Sequence, residues 1–100
     1  MNCMEIISIH PARKQERIRA LEICGKIRVG KKNGESAKLK IYGSNLTPEV
    51  NIHINWTSRS PSEGKSRLGC ELCRALSDLG LVSHTLWVEY DLSLPDKNGP

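Results

Sequence analysis

The chain has 100 residues, enough for one domain and too few for two independent hydrophobic cores. Hydrophobic residues make up 38% of it, but there is no Phe and only two Trp and two Tyr, so the core must be built from Ile, Leu and Val. The net charge of +4 is uneven: residues 1–67 carry 13 basic and 6 acidic side chains (+7), whereas residues 68–100 carry 2 and 5 (−3).

Two classes of protein are excluded by the apolar pattern. No apolar run approaches the roughly 18 residues of a membrane-spanning helix, and the first residues lack the arrangement of a secretory signal peptide. We therefore expect a cytoplasmic protein without membrane contact. Its four cysteines are expected to be reduced thiols.

The N-terminal third is predicted as a strand followed by a helix. Met4–Ile9 is a β-rich run that ends before a proline. Residues 11–24 are good helix formers between a proline and a glycine. From Leu21 to Val29, however, apolar and polar residues alternate, which is typical of a strand. We favour a helix to Cys24 and a strand at Lys26–Gly30, with the helix–strand alternative left open.

The middle of the chain is predicted as a hairpin and a further strand. Residues 30–36 are typical of a hairpin loop, and Ala37–Gly43 of the returning strand, whose apolar side chains would pair with the apolar face of Lys26–Gly30. Val50–Trp56 alternates without a break between apolar and polar residues, which predicts a strand with one buried face.

The C-terminal third is predicted as a long helix and a last strand. Ser60 is a candidate N-cap, an apolar stripe follows at helical spacing, and Gly80 fits the end of the helix. Ser83–Leu92 again alternates, with Trp87 on the polar side. Residues 93–100 are expected to be a flexible tail.

These elements predict an α+β fold in one domain, residues 1–92. An antiparallel sheet of four to five strands with one or two helices on one face satisfies the one-sided alternation, and a ferredoxin-like variant is our first choice. The competing arrangement is a four-strand meander without the first helix.

The basic hairpin is the strongest functional candidate. Its lysines and arginines point away from the apolar face, and like charges on neighbouring strands favour an anionic partner. A solvated basic face is the plainer alternative. The predicted anion-binding or nucleic-acid-binding residues, which include cations at the start of the long helix, are Lys26, Arg28, Lys31, Lys32, Lys38, Lys40, Arg59, Lys65 and Arg67.

Three catalytic or metal patterns carry less weight. Cys70 and Cys73 form a CxxC pair, but the cysteine and histidine ligands for a zinc site would be scattered singly. Gly64-Lys65-Ser66 ends like a P-loop but lacks its leading glycine. No carboxylate stands at a spacing that would pair with His53 or His84, so we expect no catalytic residue, metal or cofactor.

A second candidate surface lies on the outward face of the predicted sheet. Trp87 is a large apolar side chain on the polar side of its strand, which predicts contact with a partner or a second copy of the chain. Tyr42 and His53 are assigned to the same partner interface. A homodimer is therefore one of the expected assemblies.

The function predicted from the sequence is that of a small non-enzymatic protein whose basic hairpin binds nucleic acid or an acidic protein surface. The first alternative is a protein-interaction module, an inhibitor or regulator that acts through the outward sheet face. The second alternative is a small metal-dependent or redox protein that uses the cysteines.

Overall fold

The computed structural model describes residues 2–27, 37–57, 64–90 and 92. They form four strands and two helices. In chain order these are β1 (Asn2–Pro11), α1 (Lys14–Gly25), β2 (Lys38–Gly43), β3 (Val50–Thr57), α2 (Arg67–Leu76) and β4 (Gly80–Val88).

The strands form one antiparallel sheet in the order β2-β3-β1-β4. With the two helices between β1 and β2 and between β3 and β4, this order is that of the ferredoxin-like fold. The predicted α+β class and the ferredoxin-like first choice are confirmed. The competing meander without a first helix is wrong, because α1 occupies twelve residues after β1.

The two faces of the sheet differ in what covers them. On the helix-covered face, Ile7, Ile9, Val50, Ile52 and Ile54 have at most 1% of their surface exposed and pack with Leu72 and Leu76 of α2 and with Ala20 and Cys24 of α1. Among the described residues both helices lie on this side. We call the other side the open face; its side chains are Met4, Ile6, Ser8, His10, Lys38, Lys40, Tyr42, Asn51, His53, Asn55, Leu81, Ser83, Thr85 and Trp87.

The second helix is shorter than predicted. It begins after Ser66, whose side chain accepts a hydrogen bond from the Gly69 amide, and it ends at Leu76. Ser60, the predicted cap, lies outside the described residues. Gly80 does not end the helix. It pairs with Pro11 at the end of β1 and is therefore the first residue of β4. β4 accordingly runs three residues earlier than predicted and ends at Val88.

The predicted strand at Lys26–Gly30 is wrong for its two described residues, Lys26 and Ile27. α1 continues to Gly25, and Lys26 is the helical C-cap residue, with its amide hydrogen-bonded to the Cys24 and Ile23 carbonyls. The apolar residues of β2 find their partners elsewhere, since Leu39 and Ile41 pair with β3. The predicted hairpin loop at residues 30–36 and the tail at 93–100 lie outside the described residues.

In the part of the chain that the structure describes, no helix combines the length and the apolar composition needed to cross a membrane.

Candidate functional site

A single carboxylate interrupts the apolar lining of the helix-covered face. Glu5 follows Cys3 and precedes Ile7 on the inward side of the central strand β1, and none of its surface is exposed. A carboxylate is rarely buried unless its oxygens are satisfied by hydrogen-bond donors. The hydrogen-bond donors around Glu5 therefore determine how much its burial costs in stability.

Three donors surround the Glu5 carboxylate. Oε1 accepts from the backbone N–H of Ser66 at 2.9 Å and lies 2.8 Å from His84 Nε2. Oε2 accepts from the indole N–H of Trp56 at 2.9 Å. Neighbouring strands supply two of these donors, since Glu5 is paired with Ile54 of β3 and Leu86 of β4, each two residues from a donor.

The arrangement assigns a role to each nitrogen of His84. An ionised Glu5 carboxylate has only acceptor atoms, so Nε2 of His84 donates to it, and in a neutral imidazole Nδ1 then carries the lone pair. The His84 side chain is 10% exposed, whereas that of Glu5 is 0% exposed. The dyad therefore joins a buried carboxylate to an imidazole that reaches the surface.

The N-terminus of α2 completes the site. Gly64 has a φ of 71°, a left-handed conformation suited to glycine, and it turns the chain so that Ser66 presents its amide to Glu5 and its hydroxyl to Gly69. The partial positive charge of a helix N-terminus stabilises a nearby carboxylate. A Cβ on Gly69 would lie 2.5 Å from Glu5 Oε1 and 2.9 Å from His84 Nε2, so only glycine lets the helix approach this closely.

Cys73 lies on α2 within electrostatic range of Glu5. Burial is the main cause that raises the pKa of its thiol, and the charges of Cys70 and Glu5 raise it further, while Lys65 lowers it. Burial also raises the pKa of Cys24. All four cysteines are thiols, and Cys70 is exposed. Among the described residues no group of three or more His, Cys, Asp or Glu side chains could hold a metal ion.

The described members of the predicted anion-binding set are not brought together. Lys38 and Lys40 are exposed on the open face, whereas Lys65 and Arg67 lie at the start of α2 on the other side of the sheet. Arg67 is occupied by Glu71, with Nε 3.1 Å from Oε1. Lys26 caps α1 and is not part of a hairpin. Arg28, Lys31, Lys32 and Arg59 lie outside the described residues.

The residues assigned to a partner interface share one surface. Trp87 is 57% exposed and Tyr42 48% exposed, and the Tyr42 and His53 rings lie 4.6 Å apart, all on the open face. At the end of this face a depression of about 350 Å³ contains His10, whose Nδ1 lies 3.4 Å from Glu49 Oε1. Both partners are about half exposed, unlike the Glu5–His84 dyad.

The sequence pattern predicted no role for Glu5 and no hydrogen bond from Trp56. His84 was a candidate without a carboxylate partner, because Glu5 stands 79 residues away in the chain. A signal was present: Glu5 occupies an inward position of a strand in which Cys3, Ile7 and Ile9 are apolar. A charged residue in such a position requires a partner on a neighbouring strand or helix.

No family model matches the chain, and no curated protein matches it. Among solved structures, it is similar over 95% of its length to 93% of a monooxygenase from the gene ActVA-Orf6 of Streptomyces coelicolor, determined in complex with the ligand Nanaomycin D, with a TM-score of 0.61 and 16% sequence identity. It is also similar over 94% of its length to all of Rv0793 from Mycobacterium tuberculosis, with a TM-score of 0.50 and 12% identity. These likenesses establish the shared fold.

The function predicted from the sequence is corrected by these findings. The predicted non-enzymatic protein that binds nucleic acid through a basic hairpin is wrong: the fold is shared with a monooxygenase, and Lys26 is a helix cap. The alternatives of an interaction module and of a cysteine-based metal or redox protein are not tested by this likeness, which establishes the fold alone. The chain shares its ferredoxin-like fold with an enzyme, and its buried polar site lies between the sheet and α2.

Proposed function

We propose that this chain is an enzyme in which His84, oriented by Glu5, accepts a proton from an organic substrate during a monooxygenation. The observation that carries the proposal is the 2.8 Å contact between His84 Nε2 and the fully buried Glu5 Oε1. A carboxylate on one ring nitrogen selects the tautomer whose other nitrogen accepts a proton, and it stabilises the imidazolium that forms.

The rigidity of Glu5 favours this role. Trp56 and Ser66 hold both carboxylate oxygens, so the orientation of His84 does not depend on solvent. A general base must be held in position before it contributes to the rate, and hydrogen bonds from neighbours provide that positioning. His84, with 10% of its side chain exposed, is the member of the dyad that a substrate would meet.

The reaction class is supported by the shared fold of the ActVA-Orf6 monooxygenase. A base serves monooxygenation when the substrate has a weakly acidic hydroxyl on an aromatic ring, because the phenolate is much easier to oxidise than the phenol. The overall reaction is balanced: phenol and dioxygen give quinone and water. The phenol supplies all the electrons that reduce dioxygen. Phenols and hydroxylated polycyclic aromatics are therefore the substrates to test first.

The test measures dioxygen uptake and product mass for the purified chain with a panel of such phenols. We expect His84→Ala and Glu5→Gln to lower turnover by about 10² to 10⁴-fold, the usual contribution of a positioned base. Glu71→Gln is the matched control, because Glu71 is an exposed carboxylate on α2 and should leave turnover unchanged. Thermal melts of each variant separate loss of the base from loss of the fold.

Chemical rescue distinguishes a base from a structural histidine. Added imidazole should restore part of the turnover of His84→Ala and none of that of Glu5→Gln. Turnover that is equal in the wild-type chain and in folded His84→Ala would remove the base from the mechanism. No dioxygen uptake over the whole panel would remove monooxygenation as the reaction.

A further inference from the structure

We infer that Cys70 and Cys73 form a reversible disulfide that releases the first turn of α2 from the Glu5–His84 dyad. Both cysteines are thiols on α2, three residues apart. Cys70 is exposed and Cys73 is partly buried beside it. An accessible thiol next to a second thiol is the usual arrangement of a cysteine that is first oxidised and then resolved by its neighbour.

The geometry of a helix permits this bond and gives it a consequence. Residues three apart in an α-helix have Cα atoms about 5 Å from each other, within the roughly 4.4–6.8 Å that a disulfide spans. Their Cβ atoms, however, are about 5–6 Å apart, whereas a disulfide holds its Cβ atoms at about 3.5–4.5 Å. Closing the bond must therefore distort the turn of α2 between Cys70 and Cys73.

The distortion falls where α2 has the least room to move. Gly69 precedes Cys70, and a Cβ on Gly69 would lie 2.5 Å from Glu5 Oε1 and 2.9 Å from His84 Nε2. The Cys70 amide donates to the Ser66 carbonyl at 3.1 Å, and the Gly69 amide donates to the Ser66 hydroxyl at 3.0 Å. A movement of Cys70 is thus passed to Ser66, whose own amide is one of the three donors to Glu5.

Hydrogen peroxide is the oxidant that the bond requires. Burial, and then the charge of Cys70, raise the pKa of the Cys73 thiol, so Cys70 is the thiol that reacts first. Its sulfur attacks one peroxide oxygen, the O–O bond breaks, and a sulfenic acid and water result. The sulfur of Cys73 then displaces the sulfenic hydroxyl as water. In total two thiols are oxidised to one disulfide, and one hydrogen peroxide is reduced to two waters.

Peptide mapping tests the bond in the full chain. Trypsin cleaves after Arg67 and Arg74, so both cysteines lie in the single peptide of residues 68–74. After the folded chain is treated with hydrogen peroxide and then with iodoacetamide, this peptide should have lost two hydrogen atoms and carry no alkyl group. Dithiothreitol should restore two alkylation sites. A sulfinic acid at Cys70 with an alkylated Cys73 would overturn the inference.

Amide hydrogen exchange tests the release of α2 from the dyad. In the oxidised chain the Ser66 amide should exchange about tenfold faster, because its hydrogen bond to Glu5 opens more readily. The Ile52 amide, in a strand paired on both sides, should exchange equally in both forms. Cys73→Ser is the matched control variant and should show no change after peroxide. An unchanged Ser66 exchange rate in a chain that contains the disulfide would overturn the release.

The effect on turnover rests on the proposed function. Because a displaced base loses its contribution to the rate, the oxidised chain should turn over a phenol about tenfold more slowly than the reduced chain. Dithiothreitol should restore the rate, and Cys73→Ser should keep its rate after peroxide. Equal turnover of the reduced and the disulfide-bonded wild-type chain would overturn the switch. A reduced chain without turnover would instead contradict the proposed function, and peptide mapping and hydrogen exchange would still decide the switch.

Discussion

The helix-covered face and the open face belong to one sheet but differ in composition and in role. Ile7 and Ile6 are neighbours on β1, yet Ile7 is fully buried in the core and Ile6 faces the open side. The covered face also contains a buried carboxylate with three donors, whereas the His10–Glu49 pair at the end of the open face is about half exposed. Packing against α2 is what turns a polar side chain of the sheet into a positioned group, because it excludes water and adds a backbone donor.

The largest effect should come from removing the carboxylate of the covered face. Glu5→Ala leaves Trp56 Nε1, the Ser66 amide and His84 without their acceptor, and each unsatisfied buried group costs about 1–3 kcal/mol. We expect the free energy of unfolding in urea to fall by about 4 kcal/mol. Glu71→Ala, which removes an exposed carboxylate, should change it by less than about 0.5 kcal/mol. Equal effects of the two substitutions would contradict the assignment of Glu5.

The next largest effect compares the two neighbouring isoleucines. Ile7→Ala opens a cavity in the core and should lower the free energy of unfolding by about 3 kcal/mol. Ile6→Ala removes a half-buried side chain of the open face and should lower it by about 1 kcal/mol. Both are measured by urea unfolding at one chain concentration, since a dimer would make stability concentration-dependent. A larger loss of unfolding free energy for Ile6→Ala than for Ile7→Ala would contradict the assignment of the core to the helix-covered face.

A smaller effect tests how closely α2 approaches the dyad. Gly69→Ala places a methyl group 2.5 Å from Glu5 Oε1. The carboxylate cannot move away from that methyl group without losing its hydrogen bond from the Ser66 amide. The gain in helix propensity, about 1 kcal/mol, offsets part of the loss, so we expect a net destabilisation of about 2 kcal/mol by thermal and urea unfolding. Gly25→Ala is the control because its methyl group would meet no atom within 4 Å. Stabilisation by Gly69→Ala would show that the helix has room to move.

The smallest effect concerns thiol reactivity on α2. Burial raises the pKa of Cys73, so its thiolate fraction at pH 8 is lower than that of an ordinary cysteine. We expect iodoacetamide to modify exposed Cys70 about tenfold faster than Cys73 at pH 8, and the Cys73 rate to keep rising above pH 9. Mass spectrometry of peptides after timed quenching measures both rates. Faster modification of Cys73 at pH 8 would contradict the raised pKa.

The sequence by itself determined the α+β class, the existence of α2 and the inward faces of β3 and β4; it favoured α1 but left a strand as the alternative. These follow from periodicity, because alternation or helical spacing of apolar residues fixes which side of an element can be buried. The local sequence could not determine where α2 begins and ends. Ser60 and Ser66 are both suitable N-cap residues. Gly80 is a suitable residue to end a helix, but its pairing with Pro11 makes it the first residue of β4. Residues 11–24 favoured a helix whereas residues 21–29 alternated as in a strand, and the continuation of α1 to Gly25 decided against a strand at Lys26.

The candidate site was decided by tertiary structure. Glu5, Trp56, Ser66 and His84 come from three strands and a helix start, and nothing in their spacing along the chain relates them. Only the strand order β3-β1-β4 brings Trp56 and His84 to either side of Glu5, and only the absence of a side chain at Gly69 lets α2 close over them. A buried charge is tolerated where hydrogen-bond donors surround it. Sheet register and helix packing decide where those donors lie, and local sequence patterns do not specify either.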